Sequence, residues 1–190
     1  MKVTEKKEEN PLIYDTDKFG MPYNVLVHHM YGDFYDELLF DKQELPISLL
    51  EVGIFSGGAI RLFHDYLINA TIVGVDITDE KINQPINNYD RLSVFITDAY
   101  NIDNWTQLPK KMYDIIIDDG PHTLSSQIFA LTHFPDFLTP GGVLIIEDVP
   151  VMTVDRIING SHRDRSKITT YDWSGKTNRH DDVIITYTNE

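Results

Sequence analysis

Leu49-Leu50-Glu51-Val52-Gly53-Ile54-Phe55-Ser56-Gly57-Gly58 is the stretch whose reading decides the fold. The apolar run Ile47 to Val52 reads as a buried strand, the glycines as a sharp turn, and the residues from Ala59 as a helix carrying Ile60, Phe63 and Leu67 on one face. A strand that turns through glycines into a helix brings backbone N–H groups and a helix N-terminus up to a ligand. Glu51 places a negative charge beside that turn.

Downstream, the same pattern repeats. Thr71 to Asp76, Leu92 to Ile96, Tyr113 to Asp118 and Val143 to Ile146 are short apolar runs, and polar or helical stretches separate them. Between the first two of these lies a polar stretch with Pro85 and Asn87-Asn88; between the last two, Leu124, Ile128 and Leu131 recur at helical spacing. Buried strands alternating with helices predict an α/β, Rossmann-like, doubly wound and mostly parallel sheet. Lys167 to Trp173 and Asp182 to Thr188 read as two further strands joined by a polar loop, giving seven strands with an antiparallel C-terminal hairpin. The whole chain, 1–190, is expected to be one domain: a loose N-terminus over 1–13, a helical cap over 14–45 with Tyr31, Tyr35, Leu38 and Leu39 on one side, and a core over 46–190. Segment 150–166, with Arg156, Arg163 and Arg165, reads as exposed, and whether it closes over a substrate is open at this point.

Composition narrows the function. The chain has no cysteine, which excludes disulfides and thiolate metal sites, and no apolar run near the roughly 20 residues of a membrane span. No secretory leader is visible, so a cytoplasmic protein is expected. A net charge of −14 disfavours nucleic acid and anionic membranes as partners and suits a cation or a neutral small molecule. Oligomeric state is left open, a homo-oligomer included.

Ligands of open parallel sheets sit beyond the carboxyl ends of the strands. Those ends carry Glu51, Asp76, Asp98, Asp118/Asp119 and Glu147/Asp148. The dinucleotide fingerprint needs a second glycine where this chain has Phe55, and there is no P-loop lysine. A ligand that lacks phosphate and brings positive charge, such as S-adenosyl-L-methionine, fits the acids better.

At Glu51-Val-Gly-Ile-Phe-Ser-Gly-Gly58 the chain resembles motif I of class I S-adenosylmethionine-dependent methyltransferases. The resemblance implies that the loop 53–58, with Gly53, Phe55, Ser56 and Gly57, wraps the methionine part of the cofactor, with Glu51 near its ammonium. Asp76 would take the ribose hydroxyls, and Asp98 and Ala99 would border the adenine; Asp118 belongs to the same set. A carboxylate accepts two hydrogen bonds from a cis-diol with good geometry.

Asp119-Gly120-Pro121-His122 followed by Glu147-Asp148 is the sharper signal. Three carboxylates converging at neighbouring strand ends would repel one another unless a cation sat among them. Oxygen ligands point to Mg²⁺, with Mn²⁺ or Ca²⁺ as alternatives, held by Asp119, Glu147 and Asp148. His122, three residues after Asp119 at an expected helix start, is the candidate general base, histidine being the side chain whose ordinary pKa lies nearest neutrality; a helix-capping or core histidine is the alternative. This constellation resembles the metal-dependent macrocin- and mycinamicin-type sugar O-methyltransferases and the cephalosporin hydroxylase/rhamnosyl O-methyltransferase group, and the likeness extends upstream to Thr16-Asp17-Lys18 and His29-x-Tyr31. It implies a methyl transfer to a hydroxyl of a small acceptor, a saccharide or other polyhydroxylated molecule. Pro121 replaces the family's serine, and the length points away from a macrolide-sized acceptor.

Three other readings remain: a catechol-like O-methyltransferase, a non-catalytic cofactor-binding subunit, and an NAD-dependent oxidoreductase, which Phe55 disfavours. The pair His28-His29 is a weak metal signal because adjacent residues diverge on a helix. His29 and Tyr31 are candidates for the acceptor site. His64, His133, His162 and His180 have no evident partner, and Trp105 and Trp173 read as packing residues.

Overall fold

The computed structural model describes residues 1–9, 14, 16–19, 29–82, 89–177 and 179–190. Asp15, His28, Pro85, Asn87 and Asn88, and residues 10–13 of the expected loose terminus, lie outside the described residues.

All seven expected strands form: β1 (Ser48–Val52), β2 (Thr71–Asp76), β3 (Leu92–Ile96), β4 (Tyr113–Asp118), β5 (Leu138–Val149), β6 (Ile168–Asp172) and β7 (Val183–Thr188). They join one sheet in the order β3-β2-β1-β4-β5-β7-β6. β1 to β5 are parallel, and β7 runs antiparallel between β5 and β6. The C-terminal hairpin stands at one edge of the sheet, as expected, with β7 next to β5 and β6 outermost. The chain leaves β1 toward β2 on one side and later returns to lay β4 on the other. That reversal opens a crevice at the carboxyl ends of β1 and β4.

Period-two alternation divides the sheet into two cores. Leu49, Ile72, Ile115, Ile117 and Ile145 face one side, under helices α1 (Val3–Glu9), α2 (Gly32–Leu39) and α3 (Gly58–Tyr66). Leu50, Val73, Ile116, Leu144 and Ile146 face the other, under α4 (Leu124–His133) and α5 (Val154–Ser161). Both faces are covered, which is why the strands read as continuous apolar runs. Ile60, Phe63 and Leu67 are fully buried, as their spacing on α3 requires. A reciprocal capping box between Thr123 and Ser126 starts α4.

Two expectations change. Residues 3–9, read as loose, form α1, with Val3 buried and Thr4 donating from both backbone and hydroxyl to Asp36. Segment 150–166 contains α5, whose Ile157 and Ile158 are buried in the core that α4 also lines. Arg163 donates to the Thr132 carbonyl and to Asp136 and so ties this segment to the end of α4, whereas Arg165 pairs with Asp155 within the segment. A short helix, α6 (Ser174–Thr177), occupies part of the loop before β7. Among the described residues no helix is long and apolar enough to cross a membrane.

Candidate active site

The crevice at the carboxyl ends of β1, β2 and β4 is a cleft of about 810 Å³, within the usual range for small-molecule sites. Its floor is the glycine turn. Gly53 has φ +82°, and a Cβ there would run into the Asp119 carbonyl, so the β1 and β4 ends approach as closely as they do only because residue 53 has no side chain. The two ends are tied by Asp119 N–H donating to the Val52 carbonyl at 2.9 Å. Asp76, at the end of β2, accepts from the backbone N–H groups of Ile54 (2.9 Å) and Phe55 (3.2 Å) and so holds the turn in shape. Phe55, at φ +46°, stands 65% exposed in the cleft wall. Asp98 and Ala99 line the far end, where Asp98 accepts from the Tyr100 N–H.

The acidic edge has a cation of its own. Lys18, only 1% exposed, donates to Asp119 and to Glu147 (2.5 Å), and its ammonium lies 3.1 Å from Glu51. Burial by itself pulls a lysine pKa down, but Asp119, Glu147 and Glu51 together hold that of Lys18 well above the ordinary value. Glu51 is pushed up to about 7, by burial first, with Lys18 opposing. Glu147 is likewise raised by burial, and it also accepts from the Tyr35 hydroxyl. Among the described residues neither oxygen of Glu51 receives a hydrogen bond, although the residue lines the cleft.

Neighbouring acids at the strand ends point opposite ways. Asp118 turns to the α4 side, where it accepts from the Tyr100 hydroxyl and burial pushes it up to about 7; it does not line the cleft. Asp119 turns to Lys18. At the end of β5, Glu147 faces Lys18 and Tyr35. Simple alternation would send Asp148 to the opposite face, but Asp148 adopts φ +53° where the pairing of β5 with β7 slips between Ile146 and Val149. That irregularity re-aims its carboxylate into the cleft.

Asp119, His122 and Asp148 consequently converge, with one ligand atom from each within 4.8 Å of the others. His122 Nε2 lies 3.6 Å from Asp119 Oδ1 and 3.7 Å from Asp148 Oδ2. Asp148 is pushed up to about 6 by burial first and Asp119 next, while His29 and His122 pull it down. Two carboxylates at such separations, with an imidazole beside them, make a place that fits a divalent cation.

Of the sequence-derived ligand set Asp119, Glu147 and Asp148, the first and last meet beside His122, and Glu147 bonds Tyr35 and shares Lys18 with Asp119. Gly57 sits behind the cleft as the N-cap of α3, at φ +81°. His29 and Tyr31, read as acceptor-site candidates, are buried, so they support the acids from behind. His64 has partners after all, Asp65 at 2.6 Å and Asp90 at 3.3 Å. Trp105 and Trp173 pack, the first donating to the Ala99 carbonyl and the second lying against Tyr31 and Tyr171. Sequence reasoning did not assign Lys18, Tyr31 and Tyr35 to the acids; the signal available was that Thr16-Asp17-Lys18 and His29-x-Tyr31 belong to the family likeness.

The strand order, with one antiparallel strand between β5 and β6, defines a class I methyltransferase fold. No family model matches the chain. The fold is similar to that of the MycE methyltransferase from the mycinamycin biosynthetic pathway in complex with Mg, SAH and mycinamycin VI: TM-score 0.72 at 19% identity, over 100% of this chain and 55% of that one. In sequence the chain is similar to the 8-demethyl-8-alpha-L-rhamnosyl tetracenomycin-C 2'-O-methyltransferase of Streptomyces olivaceus, 24% identical over 147 residues, which is 73% of this chain and 36% of that protein. It is also similar to the mycinamicin VI 2''-O-methyltransferase of Micromonospora griseorubida, 24% identical over 145 residues, 72% of this chain and 34% of that protein. The chain spans about a third of the length of these curated relatives.

Proposed function

We propose that this chain is an S-adenosylmethionine- and divalent-cation-dependent O-methyltransferase acting on a hydroxyl of a saccharide or similar polyhydroxylated small molecule. The observation that carries this reading is the convergence of Asp119, His122 and Asp148 on the wall of a cleft whose floor is the glycine turn. Glu51, which lines the cleft beside Lys18, would face the methionine ammonium; Asp76 and Asp98 would receive the nucleoside. Asp119 and Asp148 would hold Mg²⁺, an ion that commonly takes only one or two protein carboxylates and leaves its other positions to water and substrate. When bound, S-adenosylmethionine supplies the methyl group and the cation lowers the pKa of the acceptor hydroxyl. His122 takes the hydroxyl proton on Nε2, the nitrogen that faces the two aspartates. The cleft walls hold acceptor and donor in line, which supplies much of the rate gain. The sugar-modifying names of the relatives support a saccharide acceptor. The acidic charge favours an enzyme that avoids nucleic acid and anionic membranes, and a cytoplasmic location belongs to the same proposal.

The test is transfer of labelled methyl to a panel of sugars and aromatic diols, with and without Mg²⁺, alongside calorimetry with S-adenosylhomocysteine. His122→Ala is expected to lower turnover by about 10²–10⁴-fold and leave cofactor affinity intact. Equal loss of both contradicts the assigned role. Faster transfer to aromatic diols than to sugars replaces the acceptor class with a catechol.

A further inference from the structure

Glu147 and Asp148 are held from the α4 side of the sheet by a side chain that the proposed chemistry does not use. Gln127, 1% exposed, lies in the first turn of α4, where its N–H donates to the carbonyl of the N-cap Thr123 at 3.0 Å. Its side-chain amide donates to two consecutive backbone carbonyls, those of Glu147 at 3.2 Å and Asp148 at 3.1 Å. In a regular strand successive carbonyls point to opposite neighbours, so one amide cannot serve both. They converge here because Asp148 turns through φ +53° and β5 carries a residue more than β7: Ile146 faces Ile185 and Val149 faces Val183. A bulge leaves the backbone groups of its extra residue outside the ladder, and Gln127 takes up those that face α4. Chemistry fixes the direction of the amide, since carbonyl oxygens only accept and a flipped side chain would set oxygen against oxygen.

We infer that Gln127 is a positioning residue for the ion site: it clamps the bulge that carries the β5 acids to the start of α4 and so sets their place relative to Asp119 and His122. The inference rests on the proposed cation-dependent reading and adds to it the part that joins the two halves of the site. One half is the turn Asp119 to His122, which runs straight into the capping box of Thr123 and Ser126. The other is the end of β5. A single helical turn separates Thr123 from Gln127, so the amide passes the position of one half to the other through rigid backbone. Lys18 also bridges Asp119 and Glu147, but through the carboxylates, for which an arriving cation would compete. Gln127 grips backbone alone, and its hold is compatible with an ion in place. Without the amide, Asp148 keeps a positive φ that persists in an L residue only where its surroundings impose it. Outer partners of this kind are typically worth about 10–100-fold in metal affinity.

The experiment is a Mn²⁺ titration of the full chain by calorimetry for wild type, Gln127→Met, Gln127→Asn and Asp114→Ala, with S-adenosylhomocysteine affinity and melting temperature measured on each. Gln127→Met keeps the length of the side chain and donates nothing. Gln127→Asn keeps an amide that is one methylene too short for both carbonyls, and serves if the methionine variant does not fold. Asp114→Ala is the stability control, since it removes an acceptor used by the Ser48 N–H and the Thr139 hydroxyl at the amino end of β4, away from the cleft. Gln127→Met is expected to raise the Mn²⁺ Kd about tenfold, and Gln127→Asn about threefold or more. Asp114→Ala should lower the melting temperature and leave the Mn²⁺ Kd within about twofold of wild type, as expected of a distant site. S-adenosylhomocysteine affinity should hold in all four proteins. Gln127 variants that melt lower but bind Mn²⁺ as wild type does give Gln127 a merely structural role and overturn the inference. So does an Asp114→Ala Kd raised as far as theirs, because affinity would then follow stability, and so does a parallel loss of S-adenosylhomocysteine affinity, because Gln127 would then hold the whole cleft. Wild-type protein that takes up no Mn²⁺ refutes the cation reading and the inference together; wild type that binds while the Gln127 variants bind equally refutes the inference alone.

Discussion

Replacing Lys18 with methionine keeps the apolar stem and removes the only cation that touches Glu51, Asp119 and Glu147 among the described residues. Removing one partner of a buried ion cluster typically costs about 3–5 kcal/mol, because the remaining charges stay desolvated and now repel. For a chain of this size each kcal/mol moves the melting temperature by about 2–4 °C, so Lys18→Met should melt about 6–20 °C below wild type at pH 8. The loss should depend on pH with a definite sign. Glu51 is already raised from 4.5 to about 7 by burial, against the pull of Lys18, and Glu147 is raised with it. A carboxylate raised in the folded state contributes stability that is complete below its unfolded pKa and lost as pH climbs through its folded value. Without Lys18 both folded values climb further, so the variant's deficit should be smallest near pH 5 and widen through pH 7 to 8. Thermal unfolding followed by circular dichroism at pH 5, 6, 7 and 8, wild type beside variant, measures this. A deficit of the same size at every pH, or none at all, refutes the claim that the ammonium compensates these acids.

Two further outcomes follow from the same geometry. Gly53→Ala puts a Cβ against the Asp119 carbonyl at φ +82° and should both lower the melting temperature and weaken S-adenosylhomocysteine binding by calorimetry; a neutral result denies the close approach of β1 and β4. Asp114→Ala removes an acceptor used by the Ser48 N–H (2.7 Å) and the Thr139 hydroxyl (2.8 Å), costing about 1–3 kcal/mol in urea unfolding at pH 7. Although burial works to raise the Asp114 carboxyl, hydrogen bonds from Ser48 and Thr139 hold it below its usual 3.8. Its contribution should therefore be present above that value and vanish as pH falls through the lower folded one; a difference between wild type and variant that persists at pH 2 contradicts this.

The strands were legible because a sheet covered on both faces needs short continuous apolar runs, and no local pattern competes with that signal. Ile47 to Val52, Thr71 to Asp76 and Val143 to Ile146 stand out on composition alone. The helix from residue 58 was legible from Ile60, Phe63 and Leu67. The cluster of acids at the strand ends could also be read, since a parallel sheet brings all those ends to one edge. The helix α5 within 150–166 was not legible because charged residues outnumber the two isoleucines that bury it. Which strand of the hairpin, β6 or β7, lies against β5 is a question of pairing, which strand composition does not encode.

The order of elements, the glycine turn and the edge at which ligands bind were determined by residue pattern alone, because each depends on contacts within one strand–turn–helix unit. Only tertiary structure decided which acids work together. Lys18 meets Asp119 and Glu147 across 101 and 129 positions of chain, and Tyr31 meets Asp148 across 117. Adjacent acids at a strand end diverge by the pleat, and a single left-handed φ at Asp148 reverses that rule; neither the bulge nor its buried partners leave a periodic trace in the sequence.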